Sequence, residues 1–348
     1  MSDKIIFREK NEKLFWRYWE KLNKQASYRY LSLSLDAYLT ISKNRSLLYG
    51  DKSFIYYKDD KPLAGVFLPI EKNGKYFAMS IKNNYVNAPL FIDYSVEKEV
   101  FNIIDDIAKD NNVSKIMFVV DPLENRAYNY LQKYNYLDTS ILVYIINLEE
   151  DLFNSCRRNH RRNIKKILNN NDFLIFYMDA KNPSYKIHEE YRELHHKCSG
   201  RVTRDKKSFD LQFEKLKQGN ATLFGLKYKN KNIAYIYFEY SADKAISASA
   251  ADDPDYSKFP LYHILMFSAM EYLKKKGIKY IDTGNPSSPS PQINYYPDEK
   301  QLNIAHFKRG FGGDYKNQFR GIKYFSKDLF KEDMEGFIKN YSETIIDR

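Results

Sequence analysis

The strongest constraint on the fold is a succession of predicted elements that occurs twice along the chain of 348 residues. In the first half, apolar periodicity predicts strands over 52–58, 63–70 and 76–81, a helix over 96–109 and a strand over 115–121. In the second half it predicts strands over 222–229, 233–240 and 245–251, a helix over 260–276 and a strand over 279–282. The repeated order predicts a duplicated α/β (α+β) architecture, with two mixed, mostly antiparallel sheets flanked by helices. The repeat also leads us to expect two domains that face each other across a cleft. Clefts between domains are common ligand-binding sites.

The predicted domain limits follow from this repeat. Residues 1–150 form the first domain, 151–170 a basic helix between the domains, and 171–326 the second domain, while a C-terminal helix over 327–348 is expected to pack on the first. Further helices are predicted over 11–24 and 124–133, and a strand over 140–147. The helix over 260–276 has the clearest end signals, with Pro260 in its first turn and Gly277 as its cap.

Charge and composition narrow the class of partner. Lys and Arg number 56 against 45 Asp and Glu, a net charge of +11, which favours polyanions such as RNA, a sugar nucleotide or an anionic membrane surface. The amino terminus has no apolar signal core and no stretch is apolar enough to span a bilayer, so a cytoplasmic location is expected. The two cysteines are not in a zinc spacing, and the adjacent His195 and His196 would point apart on a helix, so we expect no metal and no cofactor.

The densest basic run lies between the two halves, with six Lys or Arg among residues 157–166. On a helix, Arg158, Arg161, Arg162 and Lys165 share a broad face whose geometry suits phosphate oxygens. The alternative is a solvated charged helix that covers a domain junction.

One lysine near the end of the chain has the surroundings of a site. Lys308 follows His306 and Phe307 and precedes a turn at Gly312 and Gly313. An ammonium there can hold a phosphate or a developing negative charge, since glycines allow backbone and ligand to approach closely. The alternative is a snorkelling lysine beside core aromatics, and His306 is equally consistent with a structural role.

The segment over 279–285, which begins with a predicted strand over 279–282, ends about twenty residues before this lysine. The last residue of the strand, Asp282, and the nearby Asn285 are candidate substrate-binding residues, because a carboxylate at a strand end can accept a proton from an amine. The alternative is that the carboxylate caps the next helix. Prolines after Asn285 predict a long loop over 285–300, which is either a lid or a surface excursion.

Four segments together resemble the Fem-type (FemA/FemB/FemX-like) aminoacyltransferases and related N-acyltransferases, which are built from two N-acetyltransferase-like domains. The segments are the basic run 157–166, residues 250–256 before the long helix, residues 277–284, and the Phe-Lys-Arg-Gly-Phe-Gly-Gly segment at 307–313. The resemblance covers nearly the whole chain and rests on the order and spacing of these segments.

The resemblance implies transfer of an aminoacyl or acyl group to an amine, in the best-known members from aminoacyl-tRNA to the peptide of a peptidoglycan precursor. By similarity, Lys308 is the catalytic residue that stabilises the tetrahedral intermediate or holds the donor's terminal phosphate. Phe307 and Tyr256 would shape the acyl channel. Arg158, Arg161 and Arg162 would contact a nucleotide or diphosphate.

Two departures from the family pattern keep the substrates open. A coiled-coil insertion is missing, so the shorter members that act on a soluble nucleotide precursor are the better match. A glycine-rich phosphate loop is also missing before the helix over 260–276, which argues against ordinary acetyl-CoA binding. The acceptor is therefore a UDP-linked muropeptide or an amino sugar of a surface glycan. The alternatives are an acyl-CoA-dependent N-acyltransferase acting on a glycan amino sugar and a non-catalytic RNA-binding protein, and peripheral contact with an anionic membrane fits either.

Overall fold

The structure is a computed structural model that describes residues 5–124, 126–284 and 296–346. Its α-helices are α1 Glu12–Leu22, α2 Ser32–Asn44, α3 Glu97–Asp110, α4 Leu152–Ser155, α5 Arg158–Leu168, α6 Tyr185–Ser199, α7 Lys206–Lys217, α8 Leu261–Lys275, α9 Glu299–Lys308 and α10 Lys327–Tyr341. Its strands are β1 Ile5–Phe7, β2 Leu48–Asp51, β3 Phe54–Lys58, β4 Lys61–Val66, β5 Pro69–Asn73, β6 Tyr76–Met79, β7 Val86–Asn87, β8 Leu90–Phe91, β9 Val113–Val119, β10 Leu137–Asp138, β11 Ile141–Asn147, β12 Phe173–Met178, β13 Ala221–Tyr228, β14 Lys231–Ser241, β15 Lys244–Asp252, β16 Tyr280–Asp282, β17 Asp314–Gln318 and β18 Arg320–Tyr324.

The described residues divide into two compact units. The first is drawn from Met1–Leu142, Pro286–Glu299 and Asn317–Arg348, and the second from Val143–Asn285 and Lys300–Lys316. The predicted limits at 150 and 326 differ from this division because strand pairing overrides chain order. β11 pairs with β16 in the second unit's sheet, and β18 pairs with β9 in the first. The basic helix α5 belongs to the second unit.

The first unit contains two sheets, of order β1-β3-β4-β8 and β10-β18-β9-β6-β5-β2. In the larger sheet β6 runs parallel to β9 after a crossover through α3, whereas β5–β6 and β9–β18 are antiparallel. The apolar face of α1 packs on β4 through the buried Phe15, Trp19 and Leu22, which recur at helical spacing. Asn11 caps this helix by accepting a hydrogen bond from the Leu14 amide at 3.1 Å.

Two predictions for this unit are wrong. The predicted strand over 63–70 is two strands, β4 and β5, which pair in different sheets on either side of a break at Phe67 and Leu68. Pro69 opens β5, the position in a strand that tolerates a residue without an amide hydrogen. The predicted helix over 124–133 is a short 3₁₀ turn, Tyr130–Tyr134. Asp121 and Asn129 accept hydrogen bonds from amides two residues ahead, and such local bonds compete with the α-helical pattern.

The second unit is one sheet of order β12-β13-β14-β15-β16-β11-β17 with helices on both faces. Side chains of β14 alternate between two cores. Ala234, Ile236 and Phe238 face the core that contains α8, and Tyr235 and Tyr237 face the core that contains α6 and α7. β15 and β16 are parallel and are joined through α8, so this unit repeats the strand-helix-strand crossover of the first. Mixed, antiparallel-rich sheets flanked by helices confirm the predicted fold class.

The helix α8 matches its prediction within one residue at each end. Ile264 and Leu265 are fully buried, and Gly277, two residues beyond the end of the helix, has a φ of 88°. Its neighbour α5 is anchored to the same core by Ile164 and Ile167.

The C-terminal helix α10 contacts strands of the first unit. Lys115 of β9 forms an ion pair with Asp333 at 2.8 Å, and the same carboxylate accepts a hydrogen bond from the Tyr324 hydroxyl of β18 at 2.8 Å. Among the helices within the described ranges, none is long and apolar enough to cross a lipid bilayer.

Close packing of α1 on β4 makes the substitution Gly65→Ala destabilising. A Cβ at Gly65 would lie 2.9 Å from both Leu22 Cδ1 and Trp19 Cζ3, and the Trp19 ring is fully buried. We expect the free energy of unfolding to fall by about 1–3 kcal/mol, as for other overpacked sites. The matched control is Gly50→Ala in β2, where no atom lies within 4 Å of the added Cβ. Urea unfolding of both variants measures the difference, and equal stabilities would contradict the packing argument.

Candidate functional site

The candidate site lies at the carboxyl end of β16, where the strand is held by both neighbours. Asp282 pairs with Ile246 of the parallel strand β15 and with Ile145 of the antiparallel strand β11. Its side chain is fully buried, and its Oδ1 accepts a hydrogen bond from the Gly284 amide at 2.7 Å. Ligands of α/β sheets commonly bind beyond the carboxyl ends of parallel strands, so this end is where chemistry is expected.

The next residue, Thr283, is fastened by two hydrogen bonds to one carbonyl. Its amide and its Oγ1 donate to the Tyr144 carbonyl of β11 at 3.1 and 2.8 Å. The Tyr144 hydroxyl in turn donates to the Gly313 carbonyl at 2.8 Å. The Thr283 carbonyl therefore has a defined position and is available as an acceptor.

Lys308, the last residue of α9, supplies the donor. Its Nζ donates to the Thr283 carbonyl, and its side chain is partly buried rather than solvated. Among the described residues no carboxylate oxygen lies within 4 Å of this nitrogen. Burial lowers the pKa of Lys308, and the negative charge of Asp282 opposes that shift in part. An ammonium has three donors, so one hydrogen bond to a neutral carbonyl leaves two for a ligand.

The end of α9 is held by the first turn of α5. The Arg157 amide donates to the Gly310 carbonyl at 2.8 Å, and its guanidinium donates to the His306 carbonyl at 3.3 Å. One turn later, His160 Nε2 lies 2.9 Å from the Phe307 carbonyl. These bonds end on both sides of Lys308 in the chain, so residues of the basic run position the lysine. We call the contacts of Arg157 and His160 with residues 306–310 the α5–α9 clamp.

A cluster of four rings supports this contact between α5 and α9. His160 packs against His263 of α8, Phe307 and Phe311, with ring centroids 4.6, 5.4 and 4.7 Å apart. Burial lowers the pKa of His160, and burial followed by the neighbouring His160 lowers the pKa of His263 to about 4. Both imidazoles are therefore neutral at pH 7. Since the Phe307 carbonyl can only accept, His160 carries its proton on Nε2.

Sequence-predicted residues of the basic run take different roles in the structure. Arg158 is exposed, and Arg162 is exposed with one guanidinium hydrogen bond to Asn159. Arg161 instead donates to the carbonyls of Asn154 and Cys156 at 2.9 and 2.7 Å, which satisfies carbonyls at the end of α4. Phosphate contact stays a prediction for Arg158 and Arg162, whereas the guanidinium of Arg161 is engaged within its own chain.

The remaining predicted residues are spread around this region. His306 is exposed, and its Nε2 accepts from the Arg157 guanidinium at 2.9 Å, so it has a structural partner. Tyr256 contacts the Tyr228 ring at 5.8 Å and lies under the Lys231 ammonium at 5.0 Å. Among the described residues no ring contact joins it to Phe307, so their shared channel stays a prediction. Asn285 and the predicted loop up to residue 295 lie outside the described residues.

Several positioning groups were not predicted from the sequence. The carbonyls of Thr283 and Tyr144 carry no sequence signal, because backbone acceptors belong to every residue. His160 lies inside the basic run, where the surrounding arginines suggested a phosphate surface rather than a clamp. The helix α9, which ends at Lys308, was also not predicted. Within the described part of the chain, no group of three or more His, Cys, Asp or Glu side chains is arranged to hold a metal ion.

The sequence matches no protein-family model and no curated protein. Solved structures resemble it over nearly its whole length. FemX covers 91% of this chain and 97% of its own, at 14% identity and a TM-score of 0.69. The chain has the FemX fold. The C-terminal domain of a putative lysylphosphatidylglycerol synthetase from Agrobacterium fabrum gives 94% and 96% coverage, 11% identity and a TM-score of 0.62. A tandem GNAT protein from the clavulanic acid biosynthesis pathway gives 92% and 98%, 10% identity and 0.50.

These likenesses confirm, at the level of the fold, the resemblance to Fem-type proteins that the sequence motifs indicated. Within the FemX fold of this chain, the second unit carries Lys308, its Thr283 partner and the α5–α9 clamp. The identities are too low for the likeness to assign an activity.

Tight contact between α5 and the turn after Lys308 makes Gly310→Ala a test of the clamp. A Cβ at Gly310 would lie 2.0 Å from His160 Nε2, which no relaxation of a buried ring accommodates without displacing the turn. We expect Gly310→Ala to lower the free energy of unfolding by about 1–3 kcal/mol.

The control is a double-mutant cycle with His160→Ala, measured by urea unfolding. Removing the ring makes room for the methyl group, so Gly310→Ala should have little effect in the His160→Ala background. The same loss in both backgrounds would show that His160 is not the obstacle.

Proposed function

We propose that the protein is an acyltransferase that moves an aminoacyl group from an activated ester to an amine of a cell-envelope precursor. The observation that carries the proposal is Lys308, an ammonium partly buried at a strand end and bonded to the neutral Thr283 carbonyl. Among the described residues no carboxylate lies within 4 Å of the ammonium, and Asp282 offsets its burial only in part, so positive charge remains for a ligand. Burial strengthens its attraction for a developing oxyanion, because the surrounding dielectric constant is low.

The chemistry follows from that charge. The acceptor amine attacks the ester carbonyl, a C–N bond forms, and the carbonyl oxygen becomes an oxyanion beside Lys308. Collapse of this intermediate breaks the ester C–O bond and releases the donor's hydroxyl, while the proton lost by the amine passes to the leaving oxygen or to water. Lys308 stays protonated throughout, so its role is electrostatic and a strong protein base is not required.

Aminoacyl-tRNA is the favoured donor. The motifs that resemble Fem-type enzymes imply it, and the exposed Arg158 and Arg162 on α5 suit a phosphate backbone. A fold relative named as a putative lysylphosphatidylglycerol synthetase is consistent with an aminoacyl donor. A UDP-linked muropeptide or an amino sugar is the proposed acceptor.

Acyl-CoA is the less favoured donor, although one fold relative is described in relation to acetyl-CoA. The connection from β15 to α8, residues 253–260, contains no glycine that would let a pyrophosphate approach the backbone amides, and it carries the carboxylate of Asp253. Burial alone would raise the pKa of Asp253, but hydrogen bonds from Lys197 and Lys231 outweigh it and lower the pKa to about 2. Both lysines are engaged by this carboxylate, so neither is free to bind a pyrophosphate at this connection.

The decisive experiment incubates the protein with charged tRNA or acyl-CoA and a panel of UDP-linked muropeptides and amino sugars, and measures added mass by mass spectrometry. We expect an aminoacyl mass on an acceptor amine, abolished by ribonuclease. Lys308→Met should lower kcat by about 10²–10³-fold, the usual effect of removing one oxyanion donor, with donor affinity largely retained.

Lys316→Met is the matched control, because this lysine is exposed on β17 in the same unit and should leave kcat unchanged. Transfer that survives ribonuclease and requires acyl-CoA would show that acyl-CoA, and not aminoacyl-tRNA, is the donor. RNA binding without transfer to any acceptor, weakened only mildly in Lys308→Met, would support the non-catalytic alternative instead.

The lowered pKa of Lys308 predicts how activity depends on pH. The charged form is the active one, and burial shifts its loss to a lower pH than for an ordinary lysine. As pH rises through this lowered pKa, kcat should therefore fall. Lys308→Arg keeps its charge over the whole range and should lose the alkaline decline, whatever its absolute rate. A pH–kcat profile of both proteins checks this, and an identical decline in the arginine variant would assign it to another group.

A further inference from the structure

A cavity of about 480 Å³ in the second unit lies between α6 and the start of β14. Its wall is a stripe of α6 formed by Glu190, Glu193, Leu194 and Lys197, whose spacing places them on one helix face. Its floor is the start of β14, formed by Lys231, Asn232 and Tyr235, of which Tyr235 is almost fully buried. The volume lies within the range that accommodates small molecules.

The two lysines that line the cavity form ion pairs with aspartates. Asp253 is 2% exposed and accepts hydrogen bonds from Lys197 Nζ at 2.5 Å and Lys231 Nζ at 2.9 Å. Lys197 also contacts Asp255 at 2.8 Å. Two ammonium groups thus face two carboxylates, and neither lysine is available to attract an anionic ligand.

Among the described residues, the two other carboxylates of the lining, those of Glu190 and Glu193, form no ion pair. Glu190 receives two hydrogen bonds from neutral groups, the Asn232 amide at 2.6 Å and the Tyr235 hydroxyl at 3.2 Å, both on Oε2. Within the described ranges, no Lys or Arg nitrogen lies within 4 Å of Glu190 or of Glu193, one helical turn away. Neutral donors orient a carboxylate without cancelling its charge.

The Asn232 side chain leaves one acceptor of the cavity lining without a partner. Because its Nδ2 donates to Glu190, its Oδ1 points the other way, where it is buried and has no hydrogen-bond partner. The negative end of that amide dipole is therefore uncompensated as well, and a nearby cation would offset it.

We propose that this cavity binds a primary ammonium group carried by a small ligand, held by the carboxylates of Glu190 and Glu193. An ammonium supplies three donors and a positive charge to these two carboxylates, whereas a neutral hydroxyl supplies one donor and no charge. Basic amino-acid side chains and diamines belong to this class of ligand.

The test compares n-butylammonium chloride with 1-butanol, two molecules of similar shape that differ in the charged group, by NMR titration of the full chain at fixed ionic strength. We expect the ammonium to bind at least about tenfold more tightly than the alcohol, and Glu190→Gln or Glu193→Gln to weaken it at least about tenfold. Raising the salt concentration should also weaken it.

Glu271→Gln is the matched control, because Glu271 is exposed on α8 in the same unit. If Glu190→Gln does not fold, Glu193→Gln carries the test, since Glu193 is exposed and its loss cannot disturb the core. Equal binding of the two probes, no saturable binding of either, or full affinity in Glu193→Gln would overturn the proposal. The titration needs no acyl donor, so its outcome is independent of whether the protein transfers acyl groups.

Discussion

The pairing of one short strand determines where the candidate chemistry lies. β16 has only three residues, yet its last residue is paired on both sides, with Ile246 of β15 and Ile145 of β11. Because the strand stops there, the Thr283 carbonyl is free of the sheet and accepts the hydrogen bond of Lys308. A shift of this register by one residue would turn the buried Asp282 to the opposite face and remove the charge that offsets the burial of the lysine.

Burial of cations is handled in two ways in the second unit. Lys215 is buried and pairs with Glu239 at 2.7 Å, the usual arrangement for a charged group away from water. Lys308 is also partly buried, but its hydrogen bond goes to a carbonyl. The first arrangement compensates the cation within the fold, whereas the second leaves positive charge that a ligand could use. Local electrostatics of this kind, rather than the net charge of +11, distinguish Lys308 among the lysines of this chain.

The contact between α5 and α9 shows that the basic run combines a structural face with an exposed face. Arg157, His160 and Arg161 use their side chains to hold backbone carbonyls, while Arg158 and Arg162 remain on the exposed face. A helix has several faces, so one charged run can position the Lys308 segment with one face and present guanidinium groups to solvent with another.

Sequence periodicity was sufficient to predict the type and bounds of an element where each face of that element meets a single environment. The helix α8 and the strands β13 to β15 were predicted within two residues because their apolar residues alternate or recur at a single period. The Lys308 segment was also identified from the sequence, since its glycines and aromatics are unusual neighbours for a lysine. Periodicity failed at residues 63–70, where one apolar run serves two sheets, and at residues 124–133, where side chains of Asp121 and Asn129 bond to the backbone locally.

By itself, the sequence determined the repeated order of elements, the fold class and the presence of a distinctive lysine, because these depend on local pattern and residue type. Only the tertiary structure decided that β11 and β18 pair outside their predicted domains, that His160 leaves no room for a side chain at Gly310, and that Lys308 bonds to a carbonyl instead of a carboxylate. These features arise from contacts between residues more than a hundred positions apart, or from backbone groups that every residue shares, and neither leaves a trace in local sequence.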